Sequence, residues 1–251
     1  MPNLELFANA GFPFTQLADL AETTVVLPAV PSPEEIVLYL HLMSHFGAQT
    51  GYPALRVSVA GPNTVISKAR DYLILDTIAN QPAFASLDAS LPVTMDSNGV
   101  HVKPAHSYLT AVSSIQAAVS RRWSAMLGND ATQGQPSNVA GVPDALVEEI
   151  ESPSSPDRSI VLVELKDNAS ADVFADVFLD RSQTHDITGS VSLLQMSKFA
   201  SYPMNGETYR VGNISWYAMM RIWLTQYFLL LLLVTALSFP AALWMRGWLA
   251  R

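Results

Sequence analysis

The chain has no cysteine. This excludes disulfides, thiolate metal sites and a cysteine nucleophile, and leaves the redox compartment open. It also lacks any pair of glycines two residues apart and any Gly-Lys step. Neither a G-x-G-x-x-G dinucleotide loop nor a P-loop can therefore be written anywhere in it. No G-x-S-x-G elbow occurs, and no spacing ties His101, His106 or His185 to a serine as a hydrolytic triad requires. Basic residues are scarce, with 14 Lys and Arg against 22 Asp and Glu. Arg221, Arg246 and Arg251 are the only charged residues from Asn213 onward, so the remainder holds 11 basic and 22 acidic residues, a formal −11. A surface of that sign cannot replace the counterions of a phosphate backbone, so nucleic acid is excluded as a partner. The first twenty residues, MPNLELFANAGFPFTQLADL, have neither a basic start nor an unbroken apolar run. They are no secretory signal, which leaves a tail-anchored cytoplasmic protein or a piece of a longer exported one.

What is present is a regular alternation of strand and helix signals. Thr23 to Leu27 is a β-branched run stopped by Pro28. Ser32, Pro33 and Glu35 then supply an N-cap, a first-turn proline and a capping box, with Gly47 placed to close the helix. Leu55 to Ala60, Asp71 to Asp76 and Ser159 to Leu165 read as further strands, and Leu91 to Pro104 alternates on both sides of Ser97-Asn98-Gly99, as a hairpin or a looped edge does. Tyr108, Val112, Ile115, Val119, Trp123 and Met126 recur at helical spacing, which predicts an amphipathic helix over 107–127. Residues 128–144 are breaker-rich and predicted to be a loop. Another helix is expected over 169–181, with short strands in ITGSVSLLQM, KFASYPM and ETYRVG. The order implies an α/β fold with a mostly parallel sheet and flanking helices.

Three polar patterns are candidates for chemistry. The strand-to-helix turn PAVPSPEE puts Glu34 and Glu35 at the helix dipole end where a phosphate would bind, so it caps a helix and repels anions. His41 and His45 share a helix face, but Leu42 stands where H-E-x-x-H needs glutamate and no third ligand is apparent. Asp172, Asp176 and Asp180 form a row at intervals of four, the expected wet side of an amphipathic helix, with no ligand loop beside it. No catalytic residue, cofactor or metal is therefore assigned.

The C-terminal part differs in kind. From Phe228 to Met245 there is no charge, which is about the length needed to cross a hydrocarbon core. Pro240 interrupts this run, and Tyr227 and Trp248 bracket it about 31 Å apart at the helical rise. Before it, Trp216, Met219, Met220, Trp223 and Tyr227 fall on one flank of a helix with Arg221 on another, as in a helix lying at an interface. The expected divisions are an extension over 1–22, an α/β domain over 23–212, an amphipathic interface helix over 213–226, a transmembrane helix over 227–248 and a tail over 249–251.

The stretch PNLELFANAGFPFTQLADLAETTVVLP, the segment YRVGNISW and the closing helix-span-arginine tail together resemble the carboxy-terminal part of the bacterial cellulose synthase B-subunit (BcsB) family. The resemblance extends over essentially the whole chain, most specifically at its two ends. It implies the last flavodoxin-like domain of an exported, non-catalytic subunit. That family alternates such domains with carbohydrate-binding jelly rolls and ends in one anchor. The anchor packs on the catalytic cellulose synthase subunit, which is the glycosyltransferase that polymerises UDP-glucose. By the same resemblance the domain is expected to be periplasmic on a single-pass inner-membrane anchor, with Arg246 and Arg251 cytoplasmic. Its expected partners are that catalytic glycosyltransferase, the lipid bilayer and nascent cellulose. Cyclic di-GMP regulates the complex through the catalytic partner, so no dinucleotide site is expected here. Trp216, Met219, Met220, Arg221, Trp223, Tyr227, Leu230, Val234, Leu237, Pro240, Trp244 and Trp248 are the expected interface and partner-packing residues. A tail-anchored cytoplasmic α/β enzyme or sensor with an unrecognised site stands as the alternative.

Overall fold

The computed structural model describes residues 4–66, 69–78, 87, 90–103, 141–155, 157–180 and 182–202, and in a second unit residues 216, 217, 220, 221 and 224. The two units are Met1–Val211 and Gly212–Arg251.

The first unit is built on a seven-stranded mixed sheet of order β2-β1-β3-β7-β6-β8-β9. Its strands are β1 (Thr23–Val26), β2 (Ser58–Ala60), β3 (Asp71–Thr77), β6 (Ala145–Glu151), β7 (Ser159–Leu165), β8 (Val191–Gln195) and β9 (Lys198–Tyr202). A separate hairpin pairs β4 (Val93–Asp96) with β5 (Gly99–Val102). β2, β1, β3 and β7 pair in parallel, whereas β6 runs antiparallel to both β7 and β8, and β9 antiparallel to β8. Five strands (β1, β2, β3, β7, β8) thus point one way and two (β6, β9) the other. Every residue of β3 and β7 is buried, as expected of parallel strands covered on both faces.

Helix α2 (Pro33–Thr50) starts as its sequence dictates. The Ser32 side chain accepts the Glu35 N–H at 3.1 Å, and the Glu35 carboxylate accepts the Ser32 N–H at 2.7 Å. It ends four residues past the expected stop: Gly47 is helical, and Gly51, at φ 67°, is the left-handed cap. Its apolar stripe of Leu38, Leu42 and Phe46 packs on one sheet face together with Phe174 and Phe178 of α3 (Ala169–Leu179).

The stretch expected to be an extension over 1–22 supplies a large share of that core. Leu4 and Phe7 of α1 (Leu4–Ala10), with Phe14 and Leu20 beyond it, are fully or almost fully buried. Phe7 meets Phe14 and Phe46 edge-on at 6.0 Å and Phe178 at 5.3 Å. Gly11 (φ 68°) lets the chain turn over Phe46, since a Cβ there would lie 2.7 Å from that ring.

β6 is not among the strands expected from the sequence. Its ALVEEIE carries three acids, a residue type depleted from strands, yet it pairs along its whole length with β7 and over Ala145–Glu148 with β8. The helix expected over 107–127, most of the loop expected over 128–144 and the strand expected in ETYRVG lie outside the described residues.

The single-pass inner-membrane placement is corrected. Among the described residues no helix is long and apolar enough to cross a membrane. The longest, α2, has 18 residues but carries Glu34, Glu35, His41 and His45, a polarity that hydrocarbon does not tolerate. The transmembrane helix expected over 227–248 and the tail over 249–251 lie outside the described residues.

Two substitutions test this architecture. Ser32→Ala removes one half of the capping box and is expected to lower unfolding free energy by about 1 kcal/mol in urea titration. Phe7→Ala is expected to cost about 3–5 kcal/mol, and a loss below about 1 kcal/mol would show that α1 is not part of the core.

Candidate functional site

In open α/β sheets a ligand sits outside the carboxyl ends of the strands, where neighbouring connections diverge. Here that place is the end of β1 and β3, and it is occupied by the chain's own carboxylates. Glu35 is 1% exposed, with Oε2 committed to the Ser32 amide. Asp76, at the end of β3, is also 1% exposed and accepts the Thr77 N–H at 2.8 Å. Burial pushes the Asp76 carboxyl up to about 6, and the Glu35 charge adds to the rise, while the Thr77 N–H opposes it. Such a carboxyl is in the range of an acid or base catalyst. Its burial keeps any substrate from reaching it, and the pair repels rather than attracts a phosphate.

Asp76 stands directly opposite Glu164 of β7 in the parallel register, and Glu164 opposite Leu146 of β6. Glu148, two residues further along β6, therefore lies on the same sheet face. Glu148 is wholly buried and accepts the N–H of Val93, the first residue of β4, at 3.1 Å. Burial drives its carboxyl well above the ordinary carboxylate value, with the Val93 N–H opposing and Glu164 adding to the rise. Sequence reasoning missed all three. The available signal was acids set among strand-forming apolar residues, two in DYLILD, three in ALVEEIE and one in SIVLVEL.

At the opposite ends of the parallel strands, Arg158 Nη1 bridges Asp71 Oδ2 at 3.1 Å and Glu22 Oε2 at 2.7 Å, and the Ser159 N–H donates to Asp71 Oδ1 at 2.9 Å. This group ties the starts of β1, β3 and β7 together.

The three polar patterns of the sequence are not assembled into a site. His41 is exposed, and the half-buried His45 ring packs against Phe46 and Phe178. Asp172, Asp176 and Asp180 line the exposed side of α3 and its C-terminal end, opposite Phe174 and Phe178. His101 and His185 each sit beside an aspartate, Asp96 at 3.1 Å and Asp186 at 3.2 Å, and His106 lies outside the described residues. No group of three or more His, Cys, Asp or Glu able to hold a metal exists among the described residues.

In the second unit Trp216, Tyr217, Met220, Arg221 and Leu224 are helical and exposed. Trp216, Met220 and Leu224 recur every four residues, so they form one apolar stripe, and the Tyr217 ring meets Trp216 edge-on at 6.2 Å. Met219, Trp223, Tyr227, Leu230, Val234, Leu237, Pro240, Trp244 and Trp248 lie outside the described residues.

Residues 1–163 match the family described as "Cellulose synthase BcsB, second FD domain". Among curated proteins, the "Cyclic di-GMP-binding protein" of Xanthomonas axonopodis pv. citri is 36% identical over 91% of this chain and 28% of its own length. That of Pseudomonas fluorescens is 32% identical over 95% of this chain and 31% of its own. That of Komagataeibacter sucrofermentans is 28% identical over 85% and 26% respectively. The chain thus spans under a third of the length of these relatives. With 163 of its 251 residues matched, the chain belongs to the cellulose synthase BcsB family, whose second FD domain it carries.

Proposed function

We propose that this chain acts as a non-catalytic accessory part of a bacterial cellulose synthase. It packs on the catalytic glycosyltransferase, stabilises it, and supports passage of the growing glucan. Family membership supports the setting. The observation that carries the non-catalytic part is the turn after β1, where the Ser32–Glu35 capping box fills the anion position with a buried carboxylate. The order β2-β1-β3-β7 follows the 2-1-3-4 pattern of flavodoxin-like sheets, which supports reading the first unit as a flavodoxin-like scaffold with a carboxylate at its first strand-to-helix turn.

Partner contact falls to the interface helix expected over 213–226. Its Trp216, Met220 and Leu224 stripe supplies the large apolar side chains that dominate protein interfaces, with Arg221 beside it as a polar rim. The relatives' shared name attributes cyclic di-GMP binding to them. In this reading the dinucleotide is read by the catalytic partner, because the described turn of this chain offers it a carboxylate in place of a glycine-rich cradle.

Two measurements test this reading. Trp216→Ala with Met220→Ala is expected to weaken binding to the catalytic glycosyltransferase by roughly thirtyfold, equivalent to about 2 kcal/mol; undiminished recovery of the complex would sink the contact. Calorimetric titration of the isolated chain with cyclic di-GMP is expected to give no saturable heat, and saturable binding would move the site onto this chain.

A further inference from the structure

The carboxylates of Asp76, Glu164 and Glu148 form a diagonal row across β3, β7 and β6, on the sheet face that the β4–β5 hairpin covers. Their residues are 1%, 4% and 0% exposed. The hairpin seats Val93 and Met95, both essentially buried, on Leu146, Val191 and Leu193. Its attachment to the row is direct, because Glu148 Oε2 accepts the Val93 N–H. The other oxygens, Glu148 Oε1 and Asp76 Oδ2, are buried without a hydrogen-bond partner. An ionised carboxylate in that position would carry an unsolvated charge, whereas a protonated one carries only an unmade hydrogen bond.

The groups facing the row can be named. Glu148 feels Glu164 from β7 and Lys103 from just beyond β5, while β8 presents Val191 and Leu193. Asp76 feels Glu35 from the start of α2 and stands opposite Glu164. The remaining titratable pair of the hairpin, Asp96 and His101, is satisfied within it at 3.1 Å. Among these described groups Lys103 is the one cation acting on Glu148, against the adjacent Glu164.

We propose that Asp76 and Glu148, on either side of Glu164, are a proton-holding pair that makes docking of the β4–β5 hairpin on the sheet depend on pH. Protonated, Asp76 and Glu148 carry no charge and the hairpin stays seated. Ionised, the two add negative charge to a dry layer beside Glu164, and lifting the hairpin relieves it by admitting water. The direction follows from linkage. A carboxyl whose folded pKa lies above its unfolded value contributes its full stability below the unfolded value and loses it as pH rises toward the folded one. For Asp76 that window runs from 3.8 to about 6, and for Glu148 it starts at 4.5 and extends well above.

Amide hydrogen exchange on the full chain tests this. After correction for intrinsic rates, the opening constant at the Val93 amide is expected to rise with pH above about 5, at most about tenfold per pH unit for each proton lost. The Val161 amide of β7 should stay the more protected of the two throughout. Asp76→Asn with Glu148→Gln keeps an acceptor for Val93 and cannot ionise, so it should flatten the profile. A Val93 profile without pH dependence in the unaltered chain overturns the proposal, whether or not the variant folds. So does an undiminished slope in the folded variant.

Discussion

The pairing of β3 with β7 is the constraint on which the fold rests. These two strands join a parallel half, β2-β1-β3, to a half that turns antiparallel through β6, β8 and β9. They lie far apart in sequence, since the Arg158–Asp71 contact beside their first residues spans 87 positions. Closing so long a loop must be offset by many contacts made together. The structure supplies them in a six-residue register from Tyr72–Ile160 to Thr77–Leu165, buried on both faces. The Arg158–Asp71–Glu22 group then fixes the register from one end, because a shift by one residue would separate Asp71 from both the Ser159 amide and the Arg158 guanidinium.

The two faces of this sheet are used differently. One packs α1, α2 and α3 through a continuous aromatic layer, with Phe174 stacked on Phe178 at 5.3 Å and Phe14 on Phe46 at 5.6 Å. Such a layer is dense and dry, and its phenyl rings carry nothing that titrates. The other face mixes Ile74, Leu162 and Ile150 with the carboxylates. Stability is thus concentrated on the helical side and sensitivity on the hairpin side, a division that suits a scaffold carrying one responsive surface.

The sequence makes legible those elements whose signals are local. Pro28, Ser32, Pro33 and Glu35 punctuate β1 and α2 within a few residues, and Ser97-Asn98-Gly99 marks the hairpin turn. β7 is legible because SIVLVEL is almost wholly apolar. What fails is what depends on distant partners. β6 is hidden because Glu148 and Glu149 look solvated until β7 and β8 are placed on either side. α1 looks like an extension because Phe7 and Phe14 acquire a core only when α2 and Phe178 arrive. Gly47 looks like a helix stop because its neighbours do not reveal that the chain runs on to Gly51. The wet row of Asp172 and Asp176 is legible for the opposite reason, since Phe174 and Phe178 alternate with it along α3. The carboxylate row is visible only across three strands, so no single stretch of sequence displays it.

The capping box of α2 has a consequence for how this domain is maintained. Proteins that hold an anion at a strand-to-helix turn gain stability by mass action as the ligand accumulates, and lose it as supply falls. Here Glu35 is covalently part of the chain, so its effective concentration at that turn never varies. The helix start is therefore as firm in a starved cell as in a well-fed one.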